Sequence, residues 1–146
     1  MVNDFLHVGI SVRNLEESVR FYTEVLGMQE DTRAYHTGEK VSRVVDVENA
    51  EVAVCYVTKG KHRLELIEYK NKDQAKLNYS YKPQDEPGLV HIAFIVEDVD
   101  ESYQKIKNLG YQFNSPPMVT RENGPKIAFF KGPDNVIVEL YQKAGS

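Results

Sequence analysis

The stretch His7–Ser18, HVGISVRNLEES, decides the fold, because it returns 84 residues later as His91–Ser102, HIAFIVEDVDES. A second segment repeats with an offset of 74 residues, RLEL at 63–66 and IVEL at 137–140. Each half of the chain therefore has one histidine near its start and one glutamate near its end. The repetition predicts two copies of one structural unit, each of which contributes a His and a Glu.

The composition is typical of one globular domain. The chain has 146 residues, of which 41% are hydrophobic and 27% charged, enough for one core or two mutually dependent cores. The net charge of −4 argues against binding to the phosphate backbone of nucleic acids. We expect neither a signal peptide nor a membrane span, and therefore a cytoplasmic protein. The single cysteine, Cys55, lies in the apolar run 52–57 and is interpreted as a core residue.

Each copy is predicted to begin with a strand and a helix. Apolar residues alternate with His7, Gly9 and Ser11 between residues 6 and 12, which is the period of a half-buried strand. His91 takes the position of His7 in the second copy. Each strand is followed by a helix N-cap candidate with an acid three residues later, Asn14 with Glu17 and Asp98 with Glu101. Each predicted helix is followed by a glycine, Gly27 or Gly110.

Three more strands are expected in each copy, and with the first strand they form a four-stranded antiparallel sheet. The helix is expected on one face of this sheet, and the opposite face, where the His and Glu side chains point, is left for a ligand or the other module. A polar segment with two prolines separates the copies. The prediction is one domain, residues 1–146, made of a first module at 5–69, a linker at 70–88 and a second module at 89–142. The strand candidates after the helices are 40–47, 52–58 and 62–69 in the first module, and 126–130 and 136–141 in the second.

Four repeated residues are candidate metal ligands: His7, Glu65, His91 and Glu139. Both glutamates lie in mid-strand among apolar neighbours, where an uncompensated carboxylate is costly to bury. Taken singly, such a histidine is more often hydrogen-bonded in a core, and such a glutamate often faces solvent. Their joint repetition favours a divalent metal with two nitrogen and two oxygen ligands, which leaves positions open for substrate in a six-coordinate ion.

These motifs resemble the glyoxalase, or vicinal oxygen chelate (VOC), superfamily over residues 5–142. The resemblance is carried by FYTEVLG at 21–27, LEL at 64–66, GLVHIAF at 88–94 and GPDN at 132–135, together with the two His segments. It implies an α+β fold in which two tandem βαβββ modules form an incomplete, open barrel around one metal site. By analogy with the superfamily it also implies a homodimer, with the modules paired within one chain or exchanged between two.

The ligand set resembles that of bacterial glyoxalase I, and the layout resembles the epimerase-like branch. Extradiol dioxygenases of the superfamily use two His and one Glu, so Glu65 speaks against dioxygenase chemistry. The expected enzyme is a metal-dependent isomerase, epimerase or glyoxalase-type lyase, in which Glu65 or Glu139 moves a proton next to a carbonyl, with Glu65 slightly favoured by the resemblance. The alternatives are an iron-dependent extradiol-type dioxygenase and a non-catalytic small-molecule binding protein of the bleomycin-resistance type.

The expected cofactor is one divalent ion, nickel, cobalt, manganese or zinc, with iron expected for a dioxygenase. The expected partners are a small-molecule substrate with vicinal oxygens and a second copy of the chain. Arg63 and Tyr69 share the face of Glu65 and are candidate substrate contacts, although a packing or solvent-facing role is equally open for them. Further candidates are Arg43, Tyr56 and Arg121, the last of which lies in a loop before the seventh strand and is expected to close over the ligand.

Overall fold

A computed structural model describes residues 2–77 and 82–145 of the chain. The chain forms two compact units, Met1–Asn78 and Tyr79–Ser146, and the boundary between them falls within the predicted linker. Unit 1 contains β1 (Val8–Ser11), α1 (Leu15–Arg20, continued by a π-helical turn over Phe21–Val25), β2 (Gln29–Thr37), α2 (Glu39–Val45), β3 (Glu51–Lys59) and β4 (His62–Tyr69). Unit 2 contains β5 (His91–Ile95), α3 (Val99–Asn108), β6 (Met118–Val119), β7 (Lys126–Lys131) and β8 (Ile137–Gln142).

Each unit has one four-stranded mixed sheet, which confirms the α+β class. The strand orders are β1-β4-β3-β2 and β5-β8-β7-β6, so the two sheets share one topology. The expected antiparallel sheet is wrong at one edge, because β1 runs parallel to β4 and β5 parallel to β8. The helix after the first strand returns the chain to the end where that strand began. The second strand then runs in the same direction as the first, and two antiparallel turns later so does the fourth.

Unit 1 departs from a simple βαβββ order. The expected strand at 40–47 is wrong, because Glu39–Val45 is the helix α2 and the second strand is Gln29–Thr37. Valine-rich sequence suggested a strand. The spacing of Val41, Val44 and Val45, however, is that of one helical face. The strand β2 escaped prediction because nearly all of its side chains are exposed and no apolar alternation marks it.

The helices begin and end at the predicted signals. The side chain of Asn14 accepts a hydrogen bond from the backbone N–H of Glu17 at 3.0 Å, and Asp98 accepts one from Glu101 at 2.9 Å. The glycine after each helix has a positive φ, 64° at Gly27, as a left-handed helix end requires. No helix in the ranges 2–77 and 82–145 is long and apolar enough to cross a membrane.

An unpredicted contact joins the last strand of each unit to the start of its helix. The backbone N–H of Leu15 donates to Oε2 of the buried Glu68 at 2.9 Å, and that of Val99 donates to Oε1 of Gln142 at 3.0 Å. Glu68 and Gln142 are separated by the same repeat offset as Glu65 and Glu139. The helix is therefore fixed to one face of the sheet in both units, and the opposite face of the strand is left for other contacts.

Candidate metal centre

Strand β4 divides its side chains between two faces. Leu64, Leu66 and Glu68 are buried on the side that carries α1, while Glu65 and Ile67 are half-buried on the other side. Glu65 pairs across the sheet with Tyr56 of β3 and with Gly9 of β1. A carboxylate thus lies on the face without α1, as the alternation in the sequence predicts.

The first His/Glu pair is formed within unit 1. His7 lies one residue before β1, and its Nε2 is 2.9 Å from Oε2 of Glu65, whose side chain is 19% exposed. A Cβ atom at Gly9 would lie 3.7 Å from the same carboxylate oxygen. The same Cβ atom would lie 3.3 Å from Cδ1 of Ile67, so a glycine at position 9 leaves room for the Ile67 side chain beside Glu65.

The second pair lies in unit 2 and has the same construction. Nε2 of His91 is 3.2 Å from Oε2 of Glu139, whose side chain is 13% exposed. Nδ1 of His91 lies 2.7 Å from Oε1 of Gln84, which is an acceptor for the Nδ1 proton. An imidazole that is neutral and protonated at Nδ1 presents the lone pair of Nε2 to the carboxylate. Two lone pairs in that position require a cation between them, either a second proton or a metal ion.

The two glutamates differ in their second contact. Tyr56 donates a hydrogen bond from Oη to Oε1 of Glu65 at 2.8 Å, and this bond raises the pKa of Tyr56. The guanidinium of Arg63 lies 3.8 Å above the Tyr56 ring. In unit 2 the cross-strand neighbour of Glu139 is Phe129, which has no hydroxyl group. Glu65 is therefore held at both oxygens, whereas Glu139 is held at one among the contacts of the described residues.

The donor set fits a divalent metal. Two ligand atoms at about 2.1 Å from one ion and at right angles to each other are about 3.0 Å apart, close to the separation in both pairs. Nδ1 of His7 is buried and has no hydrogen-bond partner among the described residues, unlike Nδ1 of His91. Within residues 2–77 and 82–145 no group of three or more His, Cys, Asp or Glu side chains could hold a metal. Each unit thus offers one bidentate pair.

The candidate substrate residues have different surroundings. Arg63 donates to Asp31 at 3.1 Å and to Thr32 at 3.2 Å in addition to its stacking on Tyr56. These contacts hold the guanidinium over the ring of Tyr56. Arg121 is an exposed loop residue of unit 2, and Arg43 is exposed on α2.

A cleft of about 360 Å³ opens beside Glu65 in unit 1. Its floor is formed by β3 and β4, including Ile67 and Tyr69, and its wall by α2. Arg43 lines a second hollow instead, which shares Lys40 and Val44 with the cleft. Tyr69 is therefore the one other candidate substrate residue that shares the cleft with Glu65.

Sequence reasoning missed Gln84 and the role of Phe129, and it gave Tyr56 little weight. Gln84 lies in an irregular segment, and no periodic pattern indicates its contact with His91. The neighbours of the glutamates could have been found, because the short turns between the last two strands of each unit fix the cross-strand register.

Comparisons with known proteins agree with this architecture. The sequence model of the Glyoxalase/Bleomycin resistance protein/Dioxygenase superfamily matches residues 4–140. A probable lactoylglutathione lyase of Vibrio cholerae is 32% identical over 149 aligned positions, which cover 94% of this chain and 88% of the relative. The human mitochondrial methylmalonyl-CoA epimerase is 26% identical, with 93% of this chain and 72% of the relative covered.

Two solved structures share the fold. A glyoxalase family protein from Bacillus cereus superposes with a TM-score of 0.83 at 24% identity, covering 98% of this chain and 97% of that protein. The fosfomycin resistance protein FosX of Listeria monocytogenes, crystallised with Mn(II) and a dihydroxypropylphosphonic acid, gives a TM-score of 0.63 at 20% identity, covering 100% and 93%. The family match spans both units and both His/Glu pairs, and the chain therefore belongs to the Glyoxalase/Bleomycin resistance protein/Dioxygenase superfamily.

Proposed function

We propose that the protein is a divalent-metal-dependent enzyme that transfers a proton on a small substrate with vicinal oxygens, as an epimerase or isomerase or as a glyoxalase-type lyase. One observation carries the proposal: each unit holds an imidazole nitrogen and a carboxylate oxygen at the separation of neighbouring metal ligands, 2.9 Å and 3.2 Å. Relatives named as a lyase and an epimerase support the reaction class. FosX, a neighbour in fold crystallised with Mn(II), supports the use of a metal.

In this proposal His7, Glu65, His91 and Glu139 hold one ion, with both pairs supplied by one chain or by two chains of a homodimer. When bound, the ion supplies a Lewis acid that stabilises negative charge on the substrate oxygens. The chain itself supplies the orientation of the ligands. Tyr56 holds the carboxylate of Glu65, and Gln84 selects the Nδ1-protonated form of His91.

A carboxylate also has to take the substrate proton and return it. The family resemblance favours Glu65, but its contacts favour Glu139. Both oxygens of Glu65 are engaged, by His7 and by Tyr56, whereas Glu139 faces Phe129. We therefore assign the proton transfer to Glu139, which takes a proton from the carbon next to the substrate carbonyl and delivers it to the same or the adjacent carbon.

The first experiment measures metal binding. Purified protein is analysed for metal and titrated with nickel, cobalt, manganese and zinc by calorimetry, alongside Glu65→Gln and Glu139→Gln. The matched control is Glu68→Gln, a carboxylate on the same strand but on the α1 face. We expect binding of one ion by the wild type and the control, and weaker binding by the two ligand variants. Absence of metal binding in the wild type contradicts the proposal.

The second experiment measures proton transfer. Lactoylglutathione, methylmalonyl-CoA and simple 2-hydroxycarbonyl compounds are incubated with the metal-loaded protein in deuterium oxide, and deuterium at carbon is followed by NMR. Exchange is expected with at least one of these probes, and it is expected to be lost in Glu139→Gln. Retention of every substrate C–H, or oxygen-dependent consumption of a catechol by an iron-loaded sample, replaces the proposal with a binding protein or a dioxygenase, respectively.

A third experiment identifies the source of the ligands. His7→Ala and His91→Ala variants are measured separately and after co-refolding. If each site takes its pairs from two chains, each mixed dimer has one intact site out of two. Because random re-association makes half of the dimers mixed, metal binding returns to about a quarter of the wild-type capacity. If both pairs come from one chain, mixing restores nothing.

A further inference from the structure

Helix α2 exposes an unusual amount of apolar surface. Val41, Val44 and Val45 lie on one face of the helix. None of its seven residues is buried, and Val44 is 86% exposed. Among the residues of α2, Val41 alone packs against the buried cluster of Ala50, Val52 and Val54 at the start of β3. Exposed β-branched side chains contribute little to helix stability. The valine face of α2 therefore points to a contact that the unliganded unit does not make.

The cleft beside this face joins apolar walls to the candidate metal centre. The floor includes Val54 and Ile67, and the lining extends along β4 from Glu65 to Tyr69. Five strand residues measure about 13 Å from the first to the last. A volume of about 360 Å³ lies at the lower end of the range for small-molecule pockets. The cleft thus has the size and polarity for the organic chain of a small metabolite.

A cationic side chain, that of Lys40, lies at the end of the cleft away from Glu65. Helix α2 begins just after β2 ends, beside the cross-strand row of His36, Val52 and Tyr69, so Lys40 belongs to that end of the cleft. The ammonium group of Lys40 has no ion-pair partner among the described residues. Glu65, the carboxylate of the lining, is already paired with His7.

Other charges near Lys40 do not cancel it. Glu39 and Arg43 line the second hollow together with Lys40, so the start of α2 carries one acid and two bases. Arg43 likewise has no ion-pair partner in the part of the chain that the structure describes. The three charged side chains at the start of α2 carry a net charge of +1, which suits an anionic ligand group.

We propose that the substrate carries an anionic group, a carboxylate or a phosphate, separated from its vicinal oxygens by an apolar chain that lies between α2 and β3–β4 and ends at Lys40. This inference rests on the proposed function, because it places the vicinal oxygens at the ion held by Glu65. It adds the substrate class: anionic, with an aliphatic or aromatic middle section.

Three metal-chelating probes separate the parts of the proposal. Acetohydroxamic acid carries only the vicinal oxygens, hexanohydroxamic acid adds an apolar chain, and the monohydroxamate of adipic acid adds a terminal carboxylate. Each is titrated by calorimetry into the protein loaded with its preferred metal. Burial of one methylene group strengthens binding by up to about fourfold. We expect the chain to improve the dissociation constant at least about tenfold and the terminal carboxylate to improve it a further three- to fivefold or so.

Two variants test the assigned residues, and a third serves as control. Lys40→Gln removes the gain from the carboxylate and keeps the gain from the chain, whereas Val44→Asn reduces the gain from the chain; neither changes binding of acetohydroxamic acid. Lys61→Gln, in the turn at the opposite end of the β3–β4 hairpin, changes none of these values. Because Lys40, Val44 and Lys61 are all exposed, the variants are expected to fold, and circular dichroism checks this.

The outcomes distinguish this inference from the proposed function. If acetohydroxamic acid binds but the three probes have dissociation constants within twofold, the substrate class is wrong and the metal centre stands. The same conclusion follows if Lys40→Gln and Lys61→Gln respond alike. If the protein binds no metal, the proposed function fails, and the substrate class fails with it.

Discussion

Replacement of Tyr56 by phenylalanine tests how the candidate centre is built. The change removes the hydroxyl that donates to Oε1 of Glu65 at 2.8 Å and keeps the ring on which Arg63 stacks. A hydrogen bond to a charged group contributes about 1.5–3 kcal/mol when water is excluded. The side chain of Glu65 is 19% exposed, so water replaces part of the lost bond. We expect the free energy of unfolding to fall by about 1 kcal/mol, or roughly 3 °C in the melting temperature for a chain of this size.

The same change is expected to weaken metal binding. Loss of a partner that orients a ligand typically costs 10- to 100-fold in affinity. Since His7 and the carboxylate itself remain, we expect about tenfold, measured by calorimetry with the metal that the wild type prefers. Thermal denaturation followed by circular dichroism gives the stability of the metal-free protein independently.

The second unit supplies a reciprocal variant. Phe129→Tyr adds a hydroxyl opposite Glu139, at the position that Tyr56 occupies relative to Glu65. If Glu139 transfers the proton, a new hydrogen bond to it should slow deuterium exchange at least about tenfold while metal binding is retained. The reasoning is refuted if Tyr56→Phe binds metal within twofold of the wild type and its stability is unchanged. Faster exchange in Phe129→Tyr would refute the assignment of the base.

Three further changes test the framework. Glu68→Ala should lower the free energy of unfolding by about 2 kcal/mol because the N–H of Leu15 loses its partner, whereas Glu68→Gln should cost much less, since Gln142 makes the same bond in unit 2; urea denaturation measures both. Asn14→Ala should cost about 1 kcal/mol in the same assay through loss of the helix cap, and no change would contradict the capping role. Burial raises the pKa of Cys55 to about 11, so roughly one thiol in a thousand is ionised at pH 8. Labelling of the folded protein with a thiol reagent should therefore be negligible at pH 8 and appear as the pH approaches 11. Labelling in urea should be complete.

The strands that carry the candidate centre could be predicted closely from the sequence. The last strand of unit 1 was expected at 62–69 and is His62–Tyr69, because a short turn precedes this apolar-rich segment and a polar segment follows it. The strand before it was expected at 52–58 and is Glu51–Lys59. Repetition then singled out the His and Glu residues that form pairs within each unit.

The sequence did not predict the elements that are stabilised by neighbouring elements and carry no periodic pattern of their own. Strand β2 is stabilised by pairing with β3 and by ion pairs such as those of Arg33 with Glu16 and Glu30, and neither leaves a periodic signal. Helix α2 reads as a strand because it is rich in valine. The cleft lies between these two elements and the predicted sheet, which is why the sequence indicated the candidate metal ligands but not the surface beside them.

The alternation along β4 has a consequence for engineering. Leu64, Leu66 and Glu68 contact the side of the sheet that carries α1, whereas Glu65 and Ile67 lie on the opposite face. Adjacent residues of this strand can therefore be changed independently. A combinatorial library at position 67 and on the valine face of α2 would test ligand selectivity in the proposed substrate cleft without touching the contacts that anchor the helix. The internal repeat places two such strands in one chain, and the counterpart in unit 2 can be diversified independently.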